Sequence, residues 1–123
     1  MRGLFDTSIV VGGRRPPEVD EACISAMTLA ELHFGVLHAP DAATRATRLH
    51  RLAFVESAFE PLPIDGEVAR AYGTIVAGAR AAGRRPQTAD ALIAATAAAN
   101  GLTVFTRDRD VEGLPGVEVV IVD

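Results

Sequence analysis

Short, continuous apolar runs alternate along the chain with longer segments whose apolar residues recur at helical spacing. The runs predict strands at residues 2–6, 22–27, 102–106 and 117–122, and the longer segments predict helices at residues 28–38, 42–57, 66–82 and 89–100. Strands that are apolar throughout and alternate with helices are typical of a parallel sheet covered on both faces. The pattern therefore predicts an α/β fold.

The segments between these elements contain turn-forming and helix-breaking residues. Residues 12–20 contain Gly-Gly, Arg-Arg and Pro-Pro pairs and are predicted to form a loop. Thr28, Asp65 and Thr88 are predicted to cap the helices that follow them. In the run at residues 59–64, prolines restrict any strand to an edge of the sheet.

The chain of 123 residues, 49% of them apolar and 23% charged, fits one globular domain over residues 1–123. No apolar run reaches the roughly 18 residues that a membrane span needs. The first apolar stretch lacks a small-residue cleavage site, so we expect neither a signal peptide nor a membrane partner. Cys23 is the single cysteine, which fits a reducing compartment. We therefore expect a cytoplasmic protein.

The charged residues exclude several classes of function. The formal net charge of −4 argues against a generally basic nucleic-acid binder. All 12 basic residues are arginine, and the absence of lysine excludes phosphate-loop and Schiff-base chemistry. It also excludes a phospho-receiver domain, which needs a lysine beside its acidic cluster.

Carboxylates stand at the ends of apolar elements at Asp6, Glu31, Asp90 and Asp108. The carboxyl ends of parallel strands share one edge of the sheet, where open α/β proteins place their sites, so we expect these acids to converge. Two unit charges about 5 Å apart repel by roughly 3 kcal/mol at an effective dielectric constant of about 20. The cluster therefore requires a positive partner, either arginine or a hard divalent ion such as Mg²⁺ or Mn²⁺.

Each acid also has a purely structural interpretation. Asp6 and Asp108 fit the N-caps of short turns, and Asp90 fits the favourable position of a negative charge at a helix N-terminus. Thr28 and Glu31 match a capping box, in which Glu31 only bonds back to its cap residue.

Gly35 lies one turn after Glu31 on the same face of the predicted helix. Glycine destabilises a helix by about 1 kcal/mol relative to alanine, so its presence needs a reason. Either the missing side chain leaves space beside Glu31 for a metal, water or substrate backbone, or it allows close helix packing.

The chain resembles the PIN-domain nucleases, and specifically the VapC-type toxins of bacterial toxin–antitoxin pairs. The resemblance rests on Asp6-Thr7-Ser8, on residues 25–32 with Gly35, and on residues 90–97 and 102–108. Any one block is weakly specific, but all of them in this order and spacing are specific. The resemblance implies a PIN-like three-layer α/β/α sandwich with a central parallel sheet of about five strands.

The resemblance also implies a metal-dependent endoribonuclease. It would hydrolyse RNA phosphodiesters with one or two Mg²⁺ or Mn²⁺ ions and a metal-activated water, leaving 5′-phosphate and 3′-hydroxyl ends. It places the metal-binding and catalytic acids at Asp6, Glu31, Asp90 and Asp108. The polar neighbours that it implies, which would hold these acids in place, are Thr7, Ser8, Thr106 and Asp110. Where the family often has Phe, this chain has Asp110-Val111, so Asp110 is expected to assist or replace Asp108.

An acidic protein needs a local basic patch to hold RNA. The candidates are pairs of arginines in predicted loops, namely Arg14 and Arg15, Arg84 and Arg85, and Arg107 and Arg109. A stripe of Arg45, Arg48 and Arg51 on one helix is the more distant candidate. The alternative for every one of them is an ordinary solvated surface charge.

The predicted helix at residues 28–38 is apolar around most of its circumference, so it must be covered on several sides. Its cover is either the helix at residues 42–57 or a partner chain. The resemblance implies two protein partners, a VapB-like antitoxin and a second copy of the toxin in a homodimer. A catalytically inactive PIN-like binding or scaffold module is the alternative to the nuclease, and metal binding would distinguish the two.

Overall fold

The computed structural model describes residues 1–12 and 15–123 of the chain. Within these residues, strands and helices occupy the segments that the apolar pattern predicts, with one additional helix, and four helices separate the second strand from the third. The strands are β1 Arg2–Phe5, β2 Glu21–Cys23, β3 Thr103–Thr106 and β4 Val119–Ile121. The helices are α1 Thr7–Gly12, α2 Ala26–Leu37, α3 Ala42–Ala58, α4 Gly66–Ala81 and α5 Thr88–Ala99, with a short 3-10 turn at Arg109–Val111.

The strands form one sheet in the order β2-β1-β3-β4, and every pair is parallel, as predicted. A further edge segment is reduced to a single parallel bridge between Leu62 and Ser25. There the Leu62 N–H donates to the carbonyl of Ile24, and the Leu62 carbonyl accepts from the N–H of Ala26, each at 2.9 Å. The expected five strands are therefore four strands and one bridge in the described residues, with the proline-containing segment at the edge.

Helices cover both faces of the sheet. Alternate strand residues point to opposite faces, so each face has apolar side chains for the helices to cover. Leu4 packs with Ile93 of α5 on one face. Phe5 and Phe105 pack with Ile9 of α1 on the other, and their rings meet edge to face with centroids 6.2 Å apart. The three-layer α/β/α arrangement is confirmed, and it places the carboxyl ends of β1 and β3 side by side.

Helix α1 is not predicted by the pattern of apolar residues. Its consecutive Ile9, Val10 and Val11 are β-branched, which weakens a helical signal. Tertiary packing overrides this preference, since Ile9 is buried against the sheet. The helix begins directly after Asp6, whose carbonyl accepts from the N–H groups of Ile9 and Val10.

The predicted N-cap of α2 at Thr28 is wrong. The apolar run at residues 22–27 is divided, because β2 ends at Cys23 and Ser25 caps a helix that already begins at Ala26. The Ser25 hydroxyl accepts from the N–H of Met27 at 3.0 Å, and Thr28 is buried inside the helix. Since Thr28 is not a cap residue, the capping-box interpretation of Glu31 is also wrong.

The other predicted helix boundaries are close to the observed ones. Asp65 caps α4 through the N–H of Val68, as predicted. Gly83 and Gly101 follow α4 and α5 with φ of 80° and 65°, conformations that favour glycine. Helix α5 begins one residue earlier than predicted, with Thr88 as its first residue and Gln87 at the N-cap without a side-chain hydrogen bond.

The apolar circumference of α2 is only partly covered in the described chain, although α2 contacts α1, α3 and α5. Leu32 and Val36 pack against Leu52 and Val55 of α3 and are buried, whereas Phe34 on α2 is 64% exposed. The helix α3 is therefore one cover of α2, and part of the apolar surface is left over. No helix in residues 1–12 and 15–123 is long and apolar enough to cross a membrane.

Candidate functional site

Asp6 lies at the carboxyl end of β1 and is buried. Its Oδ1 accepts hydrogen bonds from the Ser8 N–H at 2.9 Å and from the Ser8 hydroxyl at 2.5 Å. Its Oδ2 accepts from the hydroxyl of Thr106 at the end of β3. Asp6 thus caps α1 through Oδ1, as its structural interpretation predicts. Its Oδ2 is held in addition by Thr106 of β3. The carboxylate is fixed in one orientation from both sides.

The hydroxyls that hold Asp6 also organise the segment after β3. The Thr106 hydroxyl accepts from the N–H of Asp108, and the Ser8 hydroxyl accepts from the N–H of Arg107, each at 2.9 Å. Asp108 in turn accepts from the N–H of Asp110 at 2.8 Å and caps the 3-10 turn. The structure therefore links Asp6 and Asp108 through Thr106.

Glu31 is half-buried on α2 and faces the start of α1. Its Oε1 accepts from the Thr7 hydroxyl at 2.6 Å, and the Thr7 hydroxyl also lies 3.4 Å from that of Thr28. A Cβ placed on Gly35 would meet nothing within 4 Å. Close helix packing is therefore not the reason for Gly35, and the space beside Glu31 is open.

Asp90 lies in the first turn of α5 and is half-buried. Burial raises the pKa of Asp90 to about 6, and the negative charges of Asp108, Glu31, Asp6 and Asp110 add to this rise. The carboxyl group of Asp90 therefore lies within electrostatic range of all the other predicted site acids, near enough for their charges to raise its pKa.

The arginines of residues 1–12 and 15–123 form no ion pair with the predicted site acids. In the described parts of the chain, no salt bridge joins an arginine to Asp6, Glu31, Asp90 or Asp108, and no hydrogen bond to the Asp90 carboxylate is seen. The arginine-filled interpretation of the cluster therefore receives no support. An excess of negative charge with only oxygen donors has the chemistry of a site for a hard divalent cation.

The side chains do not already surround a single ion. Among residues 1–12 and 15–123, no three His, Cys, Asp or Glu side chains are gathered closely enough to hold one metal ion. The charge and the donor type thus fit a divalent cation, while carboxylate rotations would be needed to bring the ligands together. No hydrogen bond from the described residues restrains the Asp90 carboxylate against such a rotation.

A polar pocket of about 410 Å³ opens beside Asp90 and contains some of the predicted RNA-binding arginines. Arg85 and Arg109 line it together with Asp110. Arg109 also lies 3.5 Å from Glu112 in an exposed ion pair, which is weak. Arg84 lines the same pocket, but its guanidinium is hydrogen-bonded to backbone carbonyls.

The other predicted RNA-binding arginines lie elsewhere or outside the described residues. Arg15 donates to the carbonyls of Val19 and Asp20 within its own loop. A Cβ on Gly12 would come within 2.8 Å of the Arg107 guanidinium carbon, so that side chain lies over the end of α1. Arg14 is not among the described residues.

The arginine stripe on α3 has a structural role at two positions. Arg48 donates to the carbonyl of Gly35 at 2.8 Å, and Arg45 donates to that of Leu37 at 3.4 Å. These bonds tie α3 to the second half of α2. Arg51 instead lines an apolar groove of about 540 Å³ that runs between α1, β2 and α3.

A buried pair of hydroxyls, not recognised from the sequence, joins the helices that carry Glu31 and Asp90. The hydroxyls of Ser25 and Thr96 lie 3.1 Å apart, and Thr96 donates to the carbonyl of Leu92. Both residues belong to the blocks that carry the resemblance, which was the available signal. The sequence did not show that Ser25 and Thr96 are buried, because no sequence pattern indicates the burial of a polar residue.

Comparisons with known proteins agree with this geometry. The PIN domain family model matches residues 4–117. The chain is 40% identical to Ribonuclease VapC4 of Mycobacterium tuberculosis, over 98% of this chain and 97% of that protein.

Solved structures of toxin–antitoxin proteins share the fold. The crystal structure of VapBC-5 from Mycobacterium tuberculosis, a member of the VapBC family of toxin–antitoxin systems, matches with a TM-score of 0.87 and 35% identity over 98% of each chain. FitAcB from Neisseria gonorrhoeae matches with a TM-score of 0.77 and 30% identity over 97% of this chain and 96% of that chain. The chain belongs to the PIN-domain family, within its group of VapC ribonucleases.

Proposed function

We propose that this protein is an endoribonuclease toxin of a toxin–antitoxin pair and that it depends on Mg²⁺ or Mn²⁺. The observation that carries the proposal is the raised pKa of Asp90, which lies among acids that no arginine of the described chain neutralises. A protein that only needed caps at these positions would gain nothing from gathering their charges at one edge. The relatives that are named ribonucleases supply the reaction class.

The residues that would hold one or two ions are Asp6, Glu31, Asp90 and Asp108. When bound, such an ion polarises a water molecule and the phosphate oxygens and stabilises the charge that develops on the leaving oxygen. Asp6 is the ligand whose direction the protein already holds, through Ser8 and Thr106. Each carboxylate oxygen has two lone pairs, so a hydrogen-bonded oxygen can still act as a ligand.

Glu31 has a separate role in the proposed reaction. Thr7 holds its Oε1, whereas Oε2 has no hydrogen-bond partner in the described part of the chain. We propose that Oε2 binds the ion or accepts a hydrogen bond from the attacking water. The open space beside Gly35 would leave room for that water or for the substrate backbone.

RNA would approach from the pocket beside Asp90. Arg85 and Arg109 are exposed there, and their charges offset the repulsion between the acidic site and the phosphates. The proposed substrate is a single-stranded segment, since the deep, narrow major groove of duplex RNA keeps its base edges out of reach of side chains.

The proposed protein partners are an antitoxin and a second copy of the chain. The solved relative VapBC-5 is named as a member of the VapBC family of toxin–antitoxin systems, and this chain has exposed apolar side chains that a partner could cover. Phe34 and Leu37 on α2 are 64% and 75% exposed, and Phe54 on α3 is 64% exposed. An antitoxin segment that covers these side chains would account for their exposure in the single chain.

The test combines metal binding with cleavage. Thermal unfolding of the wild type and of Asp90→Asn is measured with Mn²⁺ and with a chelator, and both proteins are incubated with a labelled mixed-sequence RNA. A ligand at about 100 times its Kd stabilises the folded state by roughly 2.7 kcal/mol. We expect Mn²⁺ to raise the Tm of the wild type only, and only the wild type to leave 5′-phosphate ends.

Two results would contradict the proposal. If neither protein responds to Mn²⁺ and neither cleaves, the inactive scaffold is the correct interpretation. If Asp90→Asn cleaves at the wild-type rate, the reaction occurs elsewhere.

A further inference from the structure

Two adjacent arginines before α5 have different surroundings. The Arg84 guanidinium donates from Nη1 to the carbonyl of Glu112 at 2.9 Å and from Nη2 to the carbonyl of Asp110 at 2.7 Å. Arg85 is exposed and lines the pocket beside Asp90 without a hydrogen bond to the described chain. The sequence places both in the same loop with the same charge, but only Arg84 has its terminal N–H groups occupied.

The Arg84 contact joins two segments that each lead to predicted site acids. Arg84 belongs to the loop that leads into α5 and Asp90, and its acceptors belong to the turn after β3. Gly113 of that turn lies beside the guanidinium, since a Cβ on Gly113 would lie 3.5 Å from Nη1. Gly113 has φ of 76°, which favours glycine at this position.

The bridged turn also fixes a carboxylate of the site. The N–H of Asp110 donates to Oδ1 of Asp108, while the carbonyl of Asp110 accepts from Arg84. The N–H and the carbonyl of Asp110 belong to the peptide units on either side of its Cα, so a displacement of residue 110 would also displace the N–H that holds the Asp108 side chain. The planar fork of arginine can bind two carbonyls at once, which a lysine ammonium does less well because it lacks that fixed geometry.

We propose that Arg84 is a positioning residue, which sets the distance between Asp90 and the turn that carries Asp108 and Asp110, and that it is not an RNA ligand. The proposal rests on the proposed function and corrects the grouping of Arg84 with the RNA-binding arginines. Arg85 is the RNA-contacting member of the pair. The two roles predict that substitutions at position 84 lower kcat, whereas loss of the charge at position 85 raises KM.

The experiment compares Lys and Gln substitutions at positions 84 and 85. Cleavage of a labelled mixed-sequence RNA with Mn²⁺ gives kcat and KM, and binding to the same RNA without metal is measured against salt concentration. We expect Arg84→Lys, which keeps the charge, to lower kcat about tenfold with KM nearly unchanged. We expect Arg85→Gln to raise KM and to reduce the salt slope by about one, whereas Arg85→Lys keeps the charge and should keep the salt slope.

A second measurement does not depend on activity. Amide hydrogen exchange at Asp110, Val111 and Glu112 reports directly on the turn that Arg84 holds. We expect faster exchange there in Arg84→Lys and Arg84→Gln, and unchanged exchange in both Arg85 variants. The Tm of each variant shows whether it is folded at the assay temperature.

Two outcomes would overturn the role of Arg84. One is wild-type kcat and wild-type exchange in Arg84→Lys, and the other is a salt slope in Arg84→Gln that falls as it does in Arg85→Gln. If the wild type itself does not cleave RNA, the proposed function fails. The exchange comparison would still show whether Arg84 holds the turn, and unchanged exchange would then contradict the contact itself.

Discussion

Asp6 and Asp90 are both predicted site acids, but their hydrogen-bonding and electrostatic environments differ. Asp6 is 5% exposed, and both of its oxygens accept hydrogen bonds. Asp90 is half-buried, and each neighbouring charge that shifts its pKa is negative. The protein therefore supplies donors to one carboxylate and leaves the charge of the other unopposed. A fixed acid beside an unbalanced acid is the arrangement that a bound cation would complete.

The strongest test of this comparison replaces each acid by its amide. We expect both Asp6→Asn and Asp90→Asn to abolish RNA cleavage but to change the stability of the metal-free protein in opposite directions. Asp6→Asn should destabilise it by about 1–3 kcal/mol, because an amide nitrogen cannot accept the bond from Thr106. Asp90→Asn should stabilise it at pH 7, because it removes a charge from a repulsive cluster.

Urea unfolding in the presence of a chelator measures both effects. The comparison fails if Asp90→Asn destabilises the metal-free protein as much as Asp6→Asn does, since Asp90 would then have a favourable partner in the apoprotein.

The next largest effect is expected at Thr106, which holds Asp6 and receives the N–H of Asp108. Thr106→Val keeps the shape and removes the hydroxyl, so cleavage should fall about 10–100-fold. Thr106→Ser should retain most of the activity. Thr103→Val is the matched control on the same strand, because the Thr103 hydroxyl bonds to Glu118, away from the acids. Equal losses at positions 103 and 106 would show that the effect is on folding.

The pH dependence of stability tests the environment of Asp90. Its folded pKa of about 6 lies above the ordinary value of 3.8, so the folded state binds the proton more tightly. The resulting stabilisation is fully present below pH 3.8 and is lost as the pH rises through 6. A shift of about two units corresponds to roughly 3 kcal/mol, which solvent screening of this half-exposed side chain reduces.

The measurement is the difference in unfolding free energy between the wild type and Asp90→Asn at several pH values, with chelator. We expect the wild type to lose stability relative to the variant as the pH rises from about 4 to 7. Parallel curves would mean that Asp90 titrates normally.

The smallest effect is expected at Gly35, on the open side of Glu31. Gly35→Ala should stabilise α2 by about 1 kcal/mol, because an added Cβ meets nothing within 4 Å. If water or RNA uses this space, cleavage should fall while the Tm rises. Gly73, on α4, also has open space at its Cβ and serves as the control that should gain stability without losing activity. Wild-type cleavage by Gly35→Ala would show that the space is not used.

The fold and much of the cluster could be predicted from the sequence because both depend on regular periodicity. Uninterrupted apolar runs indicated parallel strands, and parallel strands bring Asp6 and Asp108 to one edge. Helix α1 could not be predicted, since its β-branched residues are helical only because Ile9 is buried. The cap of α2 was misplaced because Ser25 and Thr28 are both good N-cap residues, and only the position at which the sheet ends distinguishes them.

The roles of individual arginines were beyond the reach of the sequence. Arg84 and Arg85 are neighbours with the same side chain, and their difference arises from carbonyls 26 and 28 residues further along the chain. Such contacts depend on where a turn places its peptide groups. The sequence contains no periodic signal for that placement.

The hydroxyl of Thr106 meets the carboxylate of Asp6 across 100 positions of the chain. During synthesis, Asp6 is made before Thr106, so the hydrogen bond between them cannot form until the later residue has been added. A chain that stops before β3 has the first acid but neither the hydroxyl that orients it nor Asp108. The acidic cluster is therefore completed only after β3 has been synthesised, and products that stop before β3 cannot assemble it.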